Sequence, residues 1–253
     1  MKNLFNFKNK IILITGSSGQ LGLSFVKLFL SLGSKVVGID SANNDFKDKN
    51  YLFYNQDISD KKKVDNIIIQ VFNKFNKIDV IINNAGASVF TKYDKRNNEE
   101  IDKVINVNVK GTLNIINSYS RMHKLKKIKK CSIVNIASIY GLLSPDFRIY
   151  GKNDRFSSEI YGASKAAIIQ LTKYYSVILS KLNINVNCLS PGGILNTKNP
   201  QNKSFIKKYS QRVPMNRMGK PSDLHSGLLF LSCESSSYVN GQNIIIDGGL
   251  SAW

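Results

Sequence analysis

Seven short runs rich in apolar residues recur along the chain, at residues 11–14, 35–40, 51–54, 77–82, 131–138, 184–189 and 242–247. Their apolar character is mostly continuous rather than alternating, which predicts strands buried on both faces of a parallel sheet. The segments between them carry apolar residues at helical spacing. Leu23, Phe25, Val26, Phe29 and Leu30 precede a stop at Gly33, Asp60 stands before 61–76, a long helix is expected from 99 to about 126, and Pro221-Ser222-Asp223 opens 224–233. A further helix carries Tyr161, with Ile168, Leu171, Tyr175 and Leu179 on one face. Strand and helix alternate without a linker or repeat, so the expectation is one α/β domain over residues 1–253, a doubly wound parallel sheet between two helical layers.

Two features depart from regular alternation. The 99–126 helix is interrupted by Asn106-Val107-Asn108-Val109-Lys110-Gly111, and a glycine inside a helix costs about 1 kcal/mol relative to alanine. A local kink with a purpose is expected there. Connections at 142–160 and 193–220 are long and lack clear periodicity; segments of that kind border substrates or act as lids, and Thr197 lies near the start of the second.

The candidate chemistry sits at the ends of the strands. The first strand runs into Thr15-Gly16-Ser17-Ser18-Gly19-Gln20-Leu21-Gly22 and then a helix, the strand–glycine turn–helix opening of a Rossmann dinucleotide-binding unit. Its glycines permit a tight turn, close approach of a pyrophosphate and close helix packing, and the helix N-terminus supplies N–H donors. The second strand ends in Asp40, placed to accept the ribose hydroxyls of NAD and to repel a 2′-phosphate. Asp40 favours NAD, and the surrounding lysines keep NADP as the alternative. Asp57 and Ile58 are placed for the adenine edge, and Asn84-Ala85-Gly86 leave room for a cofactor at the fourth strand end. Tyr161 and Lys165 lie four residues apart, on one face of their helix, so a phenol and an ammonium can act on one object.

Composition narrows the alternatives. No apolar run approaches the roughly 18 to 20 residues of a membrane span, and the apolar stretch after basic residues 1–10 is too short for a secretory signal. Cys131, Cys188 and Cys233 are widely spaced and there are only two histidines, so neither a disulfide framework nor a metal site is expected, and a reducing cytoplasm is the expected compartment. The net charge of +19, from 36 Lys and Arg against 17 Asp and Glu, favours encounter with anions. Its lysines are scattered among Asn and Ile, which speaks for compositional bias over a nucleic-acid-binding face. The run of five lysines within residues 124–130 is read as the end of a helix.

The glycine turn, Asp57, Asn83-Asn84-Ala85-Gly86, Asn108, Ser138, Tyr161-x-x-x-Lys165 and Pro191-Gly192, in this order, resemble the short-chain dehydrogenases/reductases of the classical size class over essentially the whole chain. The resemblance implies a catalytic tetrad. Tyr161 is the expected general acid/base, Lys165 lowers its pKa and holds the nicotinamide ribose, Ser138 polarises the substrate oxygen, and Asn108 supports a proton-relay water. It also brings Pro191, Gly192 and Ile194 to the cofactor and implies a homodimer or homotetramer built partly from the helices carrying Asn108 and Tyr161. Two departures stand out: the turn reads G-x-x-G-x-x-G, as in the extended branch, where the classical branch has G-x-x-x-G-x-G, and Ser138 and Tyr161 are about ten residues further apart than usual in the classical branch. With the chain's ending, these features look like a subgroup of bacterial surface-sugar and flagellin-glycosylation pathways, which implies a nucleotide-activated sugar as substrate. Tyr140, Arg148, Lys152 and Arg155 are then candidates for substrate contact, with a solvated basic loop as the alternative for the last three. Reduction of a 3-oxoacyl group on an acidic carrier protein is the second reading, and a non-catalytic nucleotide-binding partner the third.

Overall fold

The computed structural model describes residues 5–151, 156–197 and 199–253. Its centre is a parallel sheet of β1 (Ile11–Thr15), β2 (Lys35–Asp40), β3 (Tyr51–Asn55), β4 (Val80–Asn83), β5 (Cys131–Ile136), β6 (Ile184–Pro191) and β7 (Asn243–Ile246), in the order β3-β2-β1-β4-β5-β6-β7. The continuous apolar runs behave as expected. Every residue of β1, β4 and β5 is buried, because helices cover both faces.

Side-chain alternation along β1 divides the core in two. Ile11 and Leu13 pack with Val64, Ile68, Val71 and Phe72 of α2 (Lys61–Phe75) and with Ile115, Ile116 and Tyr119 of α4 (Thr112–Leu125). Ile12 and Ile14 face Phe25, Val26 and Phe29 of α1 (Gln20–Ser31) and Leu228 and Leu231 of α7 (His225–Ser232). Caps fix the helix starts: Asp60 accepts from Lys63 N at α2, and Asn97 with Glu100 forms a capping box at α3 (Asn98–Ile105). Between α3 and α4, Asn106–Gly111 forms a π turn at the expected interruption.

The long connections hold more structure than their patterns suggested. Residues 193–220 contain α6 (Lys203–Arg212), whose Phe205, Ile206 and Tyr209 are too few and too interspersed with lysine to have signalled a helix. In 142–160 there is a 3₁₀ turn at Phe147–Ile149, and α5 (Glu159–Leu179) begins at its end. No helix among the described residues is long and apolar enough to cross a membrane.

The order of connection reverses between β1 and β4, and a crevice opens there at the carboxyl ends of the strands. The turn after β1 fits this point because Gly16 and Gly22 carry no side chains. Gly16 has φ +65°, and a Cβ on it would lie 2.7 Å from Ala85 Cα. A Cβ on Gly22 would lie 1.9 Å from the Gly16 carbonyl oxygen. Gly22→Ala is therefore expected to displace α1 and lower stability by at least about 2 kcal/mol, read as a fall in thermal midpoint; an unchanged midpoint would contradict this packing.

Candidate active site

A cleft of about 1060 Å³ lies along the carboxyl ends of the strands, from Asp40 past the glycine turn to Tyr161. Thr15 and Asn84 hold its floor. The Thr15 hydroxyl accepts from Asn84 N at 3.1 Å and Ala85 N at 3.0 Å, while Asn84 Nδ2 donates to the Thr15 and Gly16 carbonyls at 3.0 Å each. Gly19 caps α1 without a side-chain hydrogen bond, and no acidic residue follows in the first turn. The N-terminal N–H groups and the positive end of the helix dipole are thus directed at the cleft, a setting suited to a pyrophosphate.

Asp40 stands at one end of this cleft. Its carboxylate accepts from Ser18 N and Ala42 N, both at 2.9 Å, so it is fixed beside the glycine turn. Asp57 and Ile58 line the same end, and Asp57 Oδ1 accepts from Ser59 N at 2.9 Å. Ser18, Gly19, Leu21, Ala85, Gly86, Pro191, Gly192 and Ile194 also line the cleft. Gln20 does too, although its side-chain amide is directed to Leu195 and Thr197.

At the other end α5 delivers Tyr161 and Lys165. Ser158 caps the helix by accepting from Tyr161 N at 3.2 Å, which sets where the phenol emerges. Lys165 is 4% exposed, donates to the Ile136 carbonyl at 2.8 Å, and has its Nζ 5.7 Å from the centre of the Tyr161 ring. Burial pushes the Lys165 ammonium down to about 8, a fall that the nearby Cys188 thiol partly opposes. Burial also raises the Tyr161 phenol above its ordinary value, and a hydrogen bond with the Ser138 hydroxyl partly offsets the rise. The net direction at Tyr161 is thus upward and is set by burial. Ser138 lies two residues beyond the end of β5, where it caps a 3₁₀ turn by accepting from Tyr140 N at 3.1 Å.

Asn108 is 1% exposed in the π turn. Its Oδ1 accepts from Ala87 N at 2.7 Å, and its Nδ2 donates to the Ala87 carbonyl at 3.1 Å and to Ser164 Oγ at 2.9 Å. The irregular turn thereby ties the loop after β4 to the helix bearing Tyr161.

Of the expected substrate contacts, Tyr140 lines the cleft. Arg148 does not. Its guanidinium forms a fork with Asp146, at 2.9 and 3.0 Å, and its side chain is 87% exposed, because a carboxylate two residues away supplies the nearest bidentate partner. Lys152 and Arg155 lie outside the described residues. The cleft wall is instead formed by Tyr150, Phe205, Tyr209 and Met218, with Asn199 and Gln201 at its edge. Tyr150 and Phe205 have ring centres 5.3 Å apart, and Phe205 and Tyr209 stack at 5.8 Å. The Phe205–Tyr209 spacing was the only sequence signal for this wall.

The sequence profile described as "Enoyl-(Acyl carrier protein) reductase" matches residues 21–251. The chain belongs to the short-chain dehydrogenase/reductase family. It is similar to the 3-oxoacyl-[acyl-carrier-protein] reductase FabG of Thermotoga maritima, at 32% identity over 96% of this chain and 98% of that one. The crystal structure of a short-chain dehydrogenase from Leptospira borgpetersenii with bound NAD+ superposes with a TM-score of 0.92, at 38% identity, covering 99% of this chain and 96% of that chain. A gluconate 5-dehydrogenase from Burkholderia cenocepacia, in complex with NADP and tartrate, shares the fold, with a TM-score of 0.86, 23% identity, and coverage of 99% and 98%. The protein is thus an oxidoreductase acting on an alcohol or ketone, and the reading as a non-catalytic partner gives way.

The buried ammonium makes a prediction about stability. A lysine held at about 8 in the folded chain against an ordinary 10.5 opposes folding by roughly 3 kcal/mol at neutral pH. The folded state binds fewer protons between these values, so this opposition fades as pH rises from about 8 toward 10.5. Lys165→Met is expected to melt higher than wild type at pH 7, with the gap closing near pH 10; equal or lower melting at pH 7 would contradict it.

Proposed function

We propose that this protein is an NAD(H)-dependent reductase and dehydrogenase that interconverts a ketone and a secondary alcohol. The observation that carries the reading is one continuous cleft with a fixed carboxylate, Asp40, at one end and Ser138, Tyr161 and Lys165 at the other. The residues fit a nicotinamide dinucleotide: side-chain-free backbone and an uncapped helix start at the glycine turn suit the pyrophosphate, and Asp40 suits free ribose hydroxyls. When bound, the nicotinamide supplies or accepts the hydride.

The chain's own residues handle the proton. Ser138 donates to the substrate oxygen and holds it against Tyr161, whose phenol protonates that oxygen in reduction and removes its proton in oxidation. Lys165 contributes a positive charge that favours the phenolate once the ionised ring is needed, acting together with the charge of the oxidised cofactor. Asn108 holds the loop after β4 and α5 in register, the support on which a proton-relay water would depend. Alcohol oxidation then rises with pH as Tyr161 loses its proton, and ketone reduction falls.

For the substrate, the similarity to 3-oxoacyl-[acyl-carrier-protein] reductase and the matched family profile favour a 3-oxoacyl thioester, and the charge of +19 suits an acidic carrier. The second reading is a nucleotide-activated sugar. It is supported by the packed rings of Tyr150, Phe205 and Tyr209 along the cleft wall, since aromatic faces are among the groups that hold sugar rings. The exposed Tyr174, Val177 and Ile178 on α5 support a homodimer or homotetramer, and three buried free thiols suit a reducing cytoplasm.

Two measurements test these readings. Asp40→Ala is expected to weaken NADH binding by roughly tenfold or more, the worth of charge-assisted hydrogen bonds, and to narrow a native preference over NADPH; a wild-type protein that prefers NADPH would overturn the role of Asp40. Acetoacetyl thioester should be turned over with NADH and nucleotide sugars should not; the reverse outcome would replace the first substrate with the second.

A further inference from the structure

We propose that Gln20 is a positioning residue that latches the segment after β6 across the glycine turn and so governs how fast the dinucleotide leaves. The inference rests on the cleft being a dinucleotide site and concerns a contact that a turn of the G-x-x-x-G-x-G pattern cannot make. In that pattern position 20 is a glycine, with no side chain; here it is a glutamine at the first position of α1.

The Gln20 amide uses both of its ends on one short stretch of backbone 175 to 177 residues away. Nε2 donates to the Leu195 carbonyl at 2.7 Å, and Oε1 accepts from Thr197 N at 3.2 Å. This is how a neighbouring strand would pair with the edge of an extended segment, reproduced by a side chain. Gln201 treats the opposite edge in the same way. Its Nε2 donates to the Ile194 carbonyl at 2.9 Å, and its Oε1 accepts from Asn196 N at 3.0 Å.

The two clamps differ in what they join. Gln201 ties the segment to residues of its own loop, whereas Gln20 ties it to the turn that faces the pyrophosphate position. Leu195 N is separately held by the Gly219 carbonyl at 2.9 Å, and Ile194 bridges Gly219, so the far side of the loop keeps its anchorage without Gln20. The two hydrogen bonds of the Gln20 amide join the segment to α1. With both ends of its amide spent on the loop, the Gln20 side chain leaves phosphate contact to the backbone N–H groups of the turn, and exit of a cofactor lying between turn and loop requires both latch bonds to open.

Gln20→Gly and Gln20→Ala test this in two ways. Amide hydrogen exchange in the protein without cofactor reads the latch itself: exchange at Thr197 should quicken by about fivefold or more, with Leu195 and Asn196 unchanged. In Gln201→Ala the quickening should fall on Asn196 instead. Stopped-flow displacement of NADH should show dissociation faster by roughly tenfold in both Gln20 variants, for two lost hydrogen bonds, without a matching fall in thermal midpoint. Gln20→Glu keeps the acceptor for Thr197 N but sets a carboxylate against the Leu195 carbonyl, so its dissociation rate should also rise. Unchanged exchange at Thr197, or an NADH dissociation rate equal to wild type, would overturn the latch. Failure of the wild type to bind NADH at all would instead fall on the cofactor reading, since the exchange measurement needs no cofactor.

Discussion

The close approach of the β1–α1 turn to the end of β4 is the contact on which the rest of the structure depends. Thr15 and Asn84 hold the two chain segments together with four hydrogen bonds, and Gly16 and Gly22 let backbone lie where any side chain would collide. Because this contact falls where the strand order reverses, it creates the crevice and directs the free N–H groups of α1 into it. The other functional residues are placed relative to that crevice by strand ends and the loops that follow them, by the π turn that carries Asn108 and by the first turns of α5.

At the chemical end, the site carries a stability cost. Lys165 is a buried cation whose described partner is a backbone carbonyl rather than a carboxylate, and burial has pushed it down to about 8. Tyr161 is raised by the same desolvation. Burial therefore disfavours the charged form of both groups, the ammonium of Lys165 and the phenolate of Tyr161. The π turn follows the same pattern: an irregular stretch of helix is tolerated because Asn108 then reaches both Ala87 and Ser164.

Much of this was legible in the residues alone. Strands buried on both faces announce themselves by unbroken apolar runs, and the glycine turn and the Tyr161–Lys165 pair are local patterns whose geometry follows from spacing. The kink at Asn106–Gly111 was visible as misplaced Asn and Gly. What escaped was non-local or diluted. The helix α6 and its aromatic wall were hidden because Phe205 and Tyr209 sit among lysines, and the Gln20 contacts join residues far apart in sequence. Arg148 looked available for an anion because sequence does not show that Asp146 already occupies it. The phenol's raised affinity for its proton was likewise invisible, since spacing gives proximity to Lys165 but not the desolvation that outweighs it.

The measurement closest to the central claim separates binding from chemistry at Tyr161. Tyr161→Phe keeps the ring and removes only the hydroxyl, so NADH should bind with wild-type affinity while single-turnover hydride transfer falls by at least about a hundredfold, the scale of lost general acid/base catalysis. Hydride transfer at the wild-type rate in that variant would contradict the account.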